Sequence, residues 1–273
     1  MKFVKSTLNY IVKNPLYLLI LGIVPAVFYG IVLNPFKTVE FINNYSQAPV
    51  LNFGSIFYGM VDFGLLQLVL TLVTIILMAI FISAILGQIE HHFRSGKFNL
   101  EAIKDHVNNN ILVALANLVA FLVVGLVIAF ASSAILFLTH LLISGINSSP
   151  TVFNVVISNV ILSVMLIVYA LISSVLFINT VNMMTDGSQF RYSFSTAIKL
   201  TQKNSFALTV AVIAPYLIVA VFISLFINSG FLTIINILGV LLLIIYYSTL
   251  AMTAYYDLSK TERYDNRKKY YHR

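Results

Sequence analysis

The chain has 273 residues, of which 60% are hydrophobic and only 9% are charged, and its formal net charge is +7. Soluble domains carry about 25% charged residues, so a water-soluble globule is excluded, and the mean hydropathy of +0.96 excludes a disordered chain. The absence of cysteine excludes disulfides, thiolate metal sites and cysteine nucleophiles. The composition therefore predicts a protein that crosses a membrane several times.

Six stretches are long and apolar enough to span a bilayer, which takes about 20 residues. They are residues 16–33, 63–89, 111–143, 153–181, 206–227 and 231–256. A basic segment precedes the first stretch as in a signal peptide, but no small-residue cleavage site follows it, so we interpret it as an uncleaved span. Asn228-Ser229-Gly230 separates the last two stretches and predicts a tight turn between antiparallel helices. We expect a transmembrane domain over 1–256 and a basic tail over 257–273.

Basic residues fall almost entirely on one side of this arrangement. When the chain is divided at the six spans, Lys37 alone lies on one side and the other fifteen Lys and Arg residues lie opposite. Because cytoplasmic loops carry the excess of Lys and Arg, we expect a multi-pass cell-membrane protein with both termini in the cytoplasm.

A short amphipathic segment precedes each odd-numbered span. We expect these segments to be interfacial helices on the inner leaflet. Their predicted apolar faces are Val4, Leu8 and Ile11, then Leu100, Ile103, Val107 and Ile111, then Phe194, Ala197, Ile198 and Thr201.

Sequence matches between these regions predict three parallel repeats. Lys13-Asn14 and Pro25 match Lys203-Asn204 and Pro215 at one offset of 190 residues, and Ala102-Ile103-Lys104 matches Ala197-Ile198-Lys199 at an offset of 95. The predicted fold is therefore an all-α polytopic bundle of six transmembrane helices, arranged as three tandem hairpins that each follow an amphipathic interfacial helix.

These tandem units, with Lys-Asn before the span and Ala-Ile-Lys in the amphipathic segment, resemble uncharacterised six-span membrane proteins of Gram-positive bacteria. That group is similar to the membrane domain attached to some glycerophosphodiester phosphodiesterases. The resemblance covers nearly the whole chain, but the soluble phosphodiesterase domain is not in this sequence, so it implies a fold and no catalytic residue.

The sequence offers few groups for chemistry inside the membrane. No acidic residue lies at mid-span, although ion-coupled carriers usually keep ionisable groups there. The deepest polar candidates for a pathway or for helix packing are Gln67, Asn117, Asn179 and Asn236, and hydrogen bonding between helices is the favoured interpretation. Glu90-His91-His92 with His106 has metal-ligand character, but adjacent positions on a helix point about 100° apart, so we expect no metal site, no cofactor and no catalytic set.

The basic tail carries Arg267, Lys268 and Lys269, which we expect to contact anionic lipid at the cytoplasmic face. Nucleic acid is not an expected partner, because a membrane surface lies beside the tail. The sequence thus favours a non-enzymatic membrane protein that binds lipid or a partner protein. A permease or permease subunit for a small or lipid-like molecule is the alternative, and an intramembrane enzyme ranks last.

Overall fold

The computed structural model describes residues 2–32, 36–37, 40–41, 52–61, 65–144, 151–227 and 229–263, and within these ranges it contains helices and no strands. A 3₁₀ turn at Leu100–Ala102 precedes the fifth helix. The helices are α1 (Lys2–Lys13), α2 (Pro15–Val32), α3 (Phe53–Met60), α4 (Leu65–Ser95), α5 (Ile103–Ser144), α6 (Thr151–Asp186), α7 (Phe190–Gln202), α8 (Ser205–Ser224) and α9 (Leu232–Ser259). Six of them, α2, α4, α5, α6, α8 and α9, are long and apolar enough to cross a membrane, which confirms the predicted all-α six-span bundle.

Helix α9 forms the centre of the bundle. It packs against α1, α2, α4, α6, α7 and α8, and most of its side chains between Gly239 and Tyr256 are buried. Glycines allow the closest of these approaches, because a Cβ added to Gly30 on α2 would lie 3.1 Å from the Cα of Ile237 on α9. The same holds on the other side of α9, where a Cβ on Gly239 would lie 2.7 Å from Cγ1 of Val219 on α8.

The first and third repeats have the same local structure at the predicted offset of 190 residues. In both, a short helix ends just before an Asn, Asn14 or Asn204, and a spanning helix begins at the next residue. Burial is also shared between equivalent positions. Residues buried at both members of a pair are Phe3 and Ser193, Thr7 and Ala197, Leu18 and Leu208, Leu21 and Ala211, Gly22 and Val212, and Gly30 and Ala220.

The middle repeat differs from the prediction, because its amphipathic segment is not a separate helix. After the 3₁₀ turn, α5 runs without a break from Ile103 to Ser144. These 42 residues extend about 63 Å, roughly twice the hydrocarbon thickness of a bilayer, so α5 must reach beyond the lipid. The segment 99–109 therefore starts the spanning helix itself.

The three even-numbered spans all end with the same backbone conformation. Helices α4, α6 and α9 are each followed by a residue with positive φ, namely Gly96 at 76°, Gly187 at 62° and Lys260 at 57°. Such left-handed residues end helices, and glycine adopts this conformation without steric cost. Each of the three hairpins therefore ends at a residue in the left-handed conformation.

A side-chain amide near the end of α4 and another near the end of α6 fix the chain to the start of the next repeat. Gln88 donates to the carbonyl of Asn99 at 2.6 Å and accepts from its amide at 3.2 Å. Asn182 donates to Oγ of Ser193 at 2.9 Å. In both cases the partner lies eleven residues further along the chain, so two helix connections are held in the same way.

Hydrogen-bond donors from α9 compensate for the amide hydrogen that Pro215 lacks inside α8. Proline has no amide hydrogen, so the carbonyl four residues earlier, that of Ala211, loses its helical partner. The hydroxyl of Tyr246 donates to this carbonyl at 3.1 Å, and the hydroxyl of Tyr247 donates to the carbonyl of Val212 at 2.9 Å. The central helix therefore satisfies backbone groups that lipid cannot satisfy.

The sequence did not predict α3. Asn52 caps it, since its side chain accepts a hydrogen bond from the amide of Ser55 at 2.7 Å. The helix packs against α5, with Ile56 fully buried and the rings of Phe53 and Phe130 at 5.2 Å in an edge-to-face arrangement. It forms a small apolar cluster with the far ends of α5 and α6, away from the main core.

The three left-handed ends predict a stability pattern. Gly96→Ala and Gly187→Ala should each lower the free energy of unfolding by about 1 kcal/mol through backbone strain alone, because a Cβ at either position meets no atom within 4 Å. Lys260→Gly should raise it by a similar amount. Gly230→Ala is the matched control, since open space surrounds it without a positive φ. Unfolding in mixed detergent micelles measures all four changes, and an equal cost at Gly230 would contradict the strain argument.

The donors that compensate for Pro215 predict a second effect. Tyr246→Phe leaves the Ala211 carbonyl without its donor in an apolar environment, so the unfolding free energy should fall by about 1 kcal/mol. Tyr192→Phe, on the exposed side of α7, should cause no change. The further change Pro215→Ala returns the amide donor to the helix. If it restores the unfolding free energy that Tyr246→Phe lowers, the link to proline is established. A cost that persists in the double variant would contradict it.

Candidate functional site

Polar side chains from six helices meet at one end of the bundle, which we call the charged end. It contains α1, α7, the C-terminal ends of α4, α6 and α9, and the first turns of α5. Direct contacts tie these elements together, including a 3.0 Å hydrogen bond between the hydroxyls of Thr7 and Thr253 and a 3.8 Å ion pair between Lys2 and Asp257. In the described ranges, Lys37 is the one Lys or Arg that lies elsewhere.

A chain of hydrogen bonds leads from this end into the bundle. The hydroxyl of Tyr255 lies 3.2 Å from both Oδ2 of Asp186 and Oδ1 of Asn182, so these two acceptors share its proton. The amide of Asn182 donates to Ser193, whose hydroxyl in turn donates to the carbonyl of Asn179 at 3.2 Å. The end of α6 is thereby joined to α7 and α9 through buried polar groups.

The deepest part of this chain is an amide pair between α5 and α6. Asn179 donates to Oδ1 of Asn117 at 2.9 Å, and Asn117 donates to the Val113 carbonyl at 2.9 Å. Both side chains are almost completely buried, and the sulfur of Met183 lies 3.6 Å and 3.7 Å from their amide nitrogens. The pair therefore joins two neighbouring spans where lipid offers no competing partner.

A second group of charges lies beside Tyr256. Glu90 and Arg94 form an ion pair one turn apart on α4 at 2.6 Å, and the neighbouring Phe93 ring packs edge-to-face on Tyr256 at 5.1 Å. Arg263, in the tail segment after α9, places its guanidinium 3.8 Å from the centre of the Phe93 ring. The described start of the tail is thus packed against the bundle.

The histidines of the predicted cluster do not converge on one point. His92 shares a 3.0 Å hydrogen bond with Tyr10 and stacks on Phe98 at 4.3 Å, whereas the ring of His91 faces that of His106 at 5.9 Å. Among the described residues, no three His, Asp or Glu side chains come close enough to hold a metal ion. That the protein binds no metal or cofactor stays a prediction.

The structure joins only two of the four predicted polar candidates to each other. Asn117 and Asn179 form the amide pair, whereas Gln67 donates to the Val32 carbonyl at the far end of α2. Asn236 is buried near the start of α9. The predicted lipid-contacting residues Arg267, Lys268 and Lys269 lie outside the described residues.

Sequence reasoning missed Asp186, Tyr255, Asn182 and Ser193 as members of one network. The hydrogen-bonded partners among them lie 11, 69 and 73 positions apart, so no local motif connects them. The available signal was composition, because α9 carries more hydroxyl side chains near its C-terminal end than a lipid-facing helix needs.

Eight cations at the charged end are exposed and form no ion pair with any described residue. They are Lys5, Lys13, Lys97, Lys104, Arg191, Lys199, Lys203 and Lys260. By contrast, three of the six described acidic residues at this end, Glu90, Asp186 and Asp257, are held by Arg94, Tyr255 and Lys2. The surface of this end is therefore positive, and it chemically suits anionic groups.

Comparison of the chain with protein-family models, with curated proteins and with solved structures found no match.

The amide pair predicts a measurable coupling between α5 and α6. Asn117→Ala and Asn179→Ala should each destabilise the protein, because each leaves a buried amide without its partner. The double variant should cost less than the sum of the single changes by about 0.6 kcal/mol, the usual size of such bonds in membranes. A double-mutant cycle from detergent unfolding measures this term. Strict additivity would mean that the two amides do not act as a pair.

Proposed function

We propose that this chain is a non-enzymatic integral membrane protein whose charged end faces the cytoplasm and binds anionic lipid. The six apolar spans support its insertion in a membrane. The position of all but one described cation at one end supports the orientation, because cytoplasmic segments are enriched in Lys and Arg. The cell membrane is the location that this orientation favours.

The observation that carries the proposal is the set of eight exposed cations without ion-pair partners. The cytoplasmic leaflet has a negative surface potential, and each Lys or Arg close to it contributes about 1 kcal/mol of attraction. Most exposed large apolar side chains lie on the spanning helices, where lipid chains cover them. The exposed cations thus match the head-group layer of a leaflet, and the exposed apolar residues match its hydrocarbon layer.

A permease is the second candidate, and one observation favours it. The hydrogen-bonded polar groups run from Asp186 at the surface to Asn117 between α5 and α6. Polar groups in such an order could line a route for a small molecule. We rank this function second, because hydrogen bonds between these groups serve equally well to hold the helices together.

The orientation is tested with topology reporters. Fusions after Lys97, Gln189 and Arg273 should report a cytoplasmic location, because basic residues surround these positions, and fusions near Gln47 and Ser148 should report an external one. Accessibility of single cysteines introduced at the same positions is an independent check, since the chain has no cysteine of its own. An external signal at Gln189 would contradict the proposed orientation.

The lipid preference is tested on the purified protein. Added phosphatidylglycerol should raise the unfolding temperature more than the same amount of phosphatidylcholine, because only the first lipid carries a net negative charge. The difference should shrink at high salt, which screens exposed charges. Equal stabilisation by both lipids would overturn anionic-lipid binding and leave the permease as the stronger candidate.

A further inference from the structure

We propose that α1 and α7 form two equivalent binding sites for anionic phospholipid head groups, one in the first repeat and one in the third. This inference rests on the proposed function and assigns it to particular residues. The sites follow from the way each short helix divides its surface among three environments: the bundle, a set of exposed apolar side chains and a set of exposed cations.

Helix α1 has three faces instead of the two predicted from sequence. Phe3, Thr7 and Tyr10 are buried against the bundle, whereas the predicted apolar residue Leu8 is 49% exposed, together with Val12 at 76%. At about 100° per residue, Leu8 and Val12 lie on a second face.

The third face of α1 is basic. Lys5 and Lys13 lie about 60° and 140° around the helix from Leu8, and both are exposed without an ion pair among the described residues. An apolar strip with cations along one side is the pattern of a helix that lies at the boundary between head groups and acyl chains.

Helix α7 repeats this division at the offset of 190 residues. Ser193, Ala197 and Thr201 are buried in the bundle, and Ile198, equivalent to Leu8, is 44% exposed. Lys199 and Lys203 lie about 100° and 140° around the helix from Ile198, so Lys203 matches Lys13 in both sequence and direction. Both segments thus present an exposed aliphatic side chain with two exposed cations on the same side of it.

The middle repeat does not present this combination. There the helix continues into α5, and Lys104 is followed directly by the exposed acid Asp105 and preceded by the exposed acid Glu101. A head-group phosphate near Lys104 would meet these carboxylates. We therefore expect two head-group sites in the protein and none at the start of α5.

The exposed apolar faces decide between a lipid and a free phosphate ion. A phosphate ion needs only the cations, whereas Leu8, Val12 and Ile198 gain free energy only if acyl chains cover them. The occupant that matches both faces of each helix is a membrane phospholipid with a negative head group.

Native mass spectrometry of the detergent-purified protein, titrated with phosphatidylglycerol, counts the sites. The variants are Lys5→Gln with Lys13→Gln for α1, and Lys199→Gln with Lys203→Gln for α7. Lys97→Gln with Lys104→Gln is the matched control, because it removes two exposed cations that lie in the middle repeat, outside both proposed sites. Circular dichroism and gel filtration check that each variant is folded.

The wild type should retain two phosphatidylglycerol molecules, each paired variant in α1 or α7 should retain one, and the control should retain two. At the altered site, affinity should fall roughly fivefold for each removed cation, the equivalent of about 1 kcal/mol. Phosphatidylcholine and inorganic phosphate should not reproduce the binding.

The results separate this inference from the proposed function. If the wild type shows no preference for phosphatidylglycerol, the proposed function fails and the two sites fail with it. If the preference exists but is unchanged in both paired variants, or is lost in the Lys97 and Lys104 control, the two sites are wrong while lipid binding stands. Equal binding of inorganic phosphate would show that the cations bind free anions, which would overturn the lipid assignment.

Discussion

Lipid gives no hydrogen-bonding partner to the backbone, and this constraint determines where the polar side chains of the bundle lie. Helix α9 carries many of them and occupies the centre, where its hydroxyl groups reach the backbone and side chains of its neighbours. Tyr246 supplies the donor that Pro215 removes from α8, and Tyr255 holds the end of α6 through Asn182 and Asp186. The central helix therefore supplies hydrogen-bond partners to α6 and α8 from within the bundle, whereas α5 and α6 bond to each other through Asn117 and Asn179.

Local sequence signals predicted most of the fold. Helix breaks at Lys13-Asn14-Pro15 and Lys203-Asn204 follow from residue type, and the six spans follow from hydropathy and length. Hydropathy could not predict which span is central, because lipid and protein interior are equally apolar. It also could not reveal α3, whose eight residues are too few to span a membrane and whose packing depends on Phe130, far along the chain.

The polar network was harder to predict than the helices. The sequence singled out Asn117 and Asn179 as deep polar residues, but nothing local could show that these two bond to each other and not to Gln67 or Asn236. Pairing depends on the rotation and depth of two long helices, and a shift of one residue turns a side chain by about 100°. The same reasoning explains the histidines, where Tyr10 and Phe98 place His92 away from His106.

The position of each repeat relative to α9 explains why only two repeats keep a separate short helix. Ending a helix leaves amide and carbonyl groups without partners, so a break is stable only where the short helix gains contacts. Helix α1 gains them by burying Phe3, Thr7 and Tyr10 and by bonding Thr7 to Thr253 of α9, and α7 gains them against α6, α8 and α9. Helix α5 packs instead against α3, α4 and α6 at the edge of the bundle. A break at Asn109, which lies 95 residues from both Asn14 and Asn204, would therefore bring no comparable contact. The continuous helix of the middle repeat and the two short basic helices of the outer repeats thus follow from one packing arrangement.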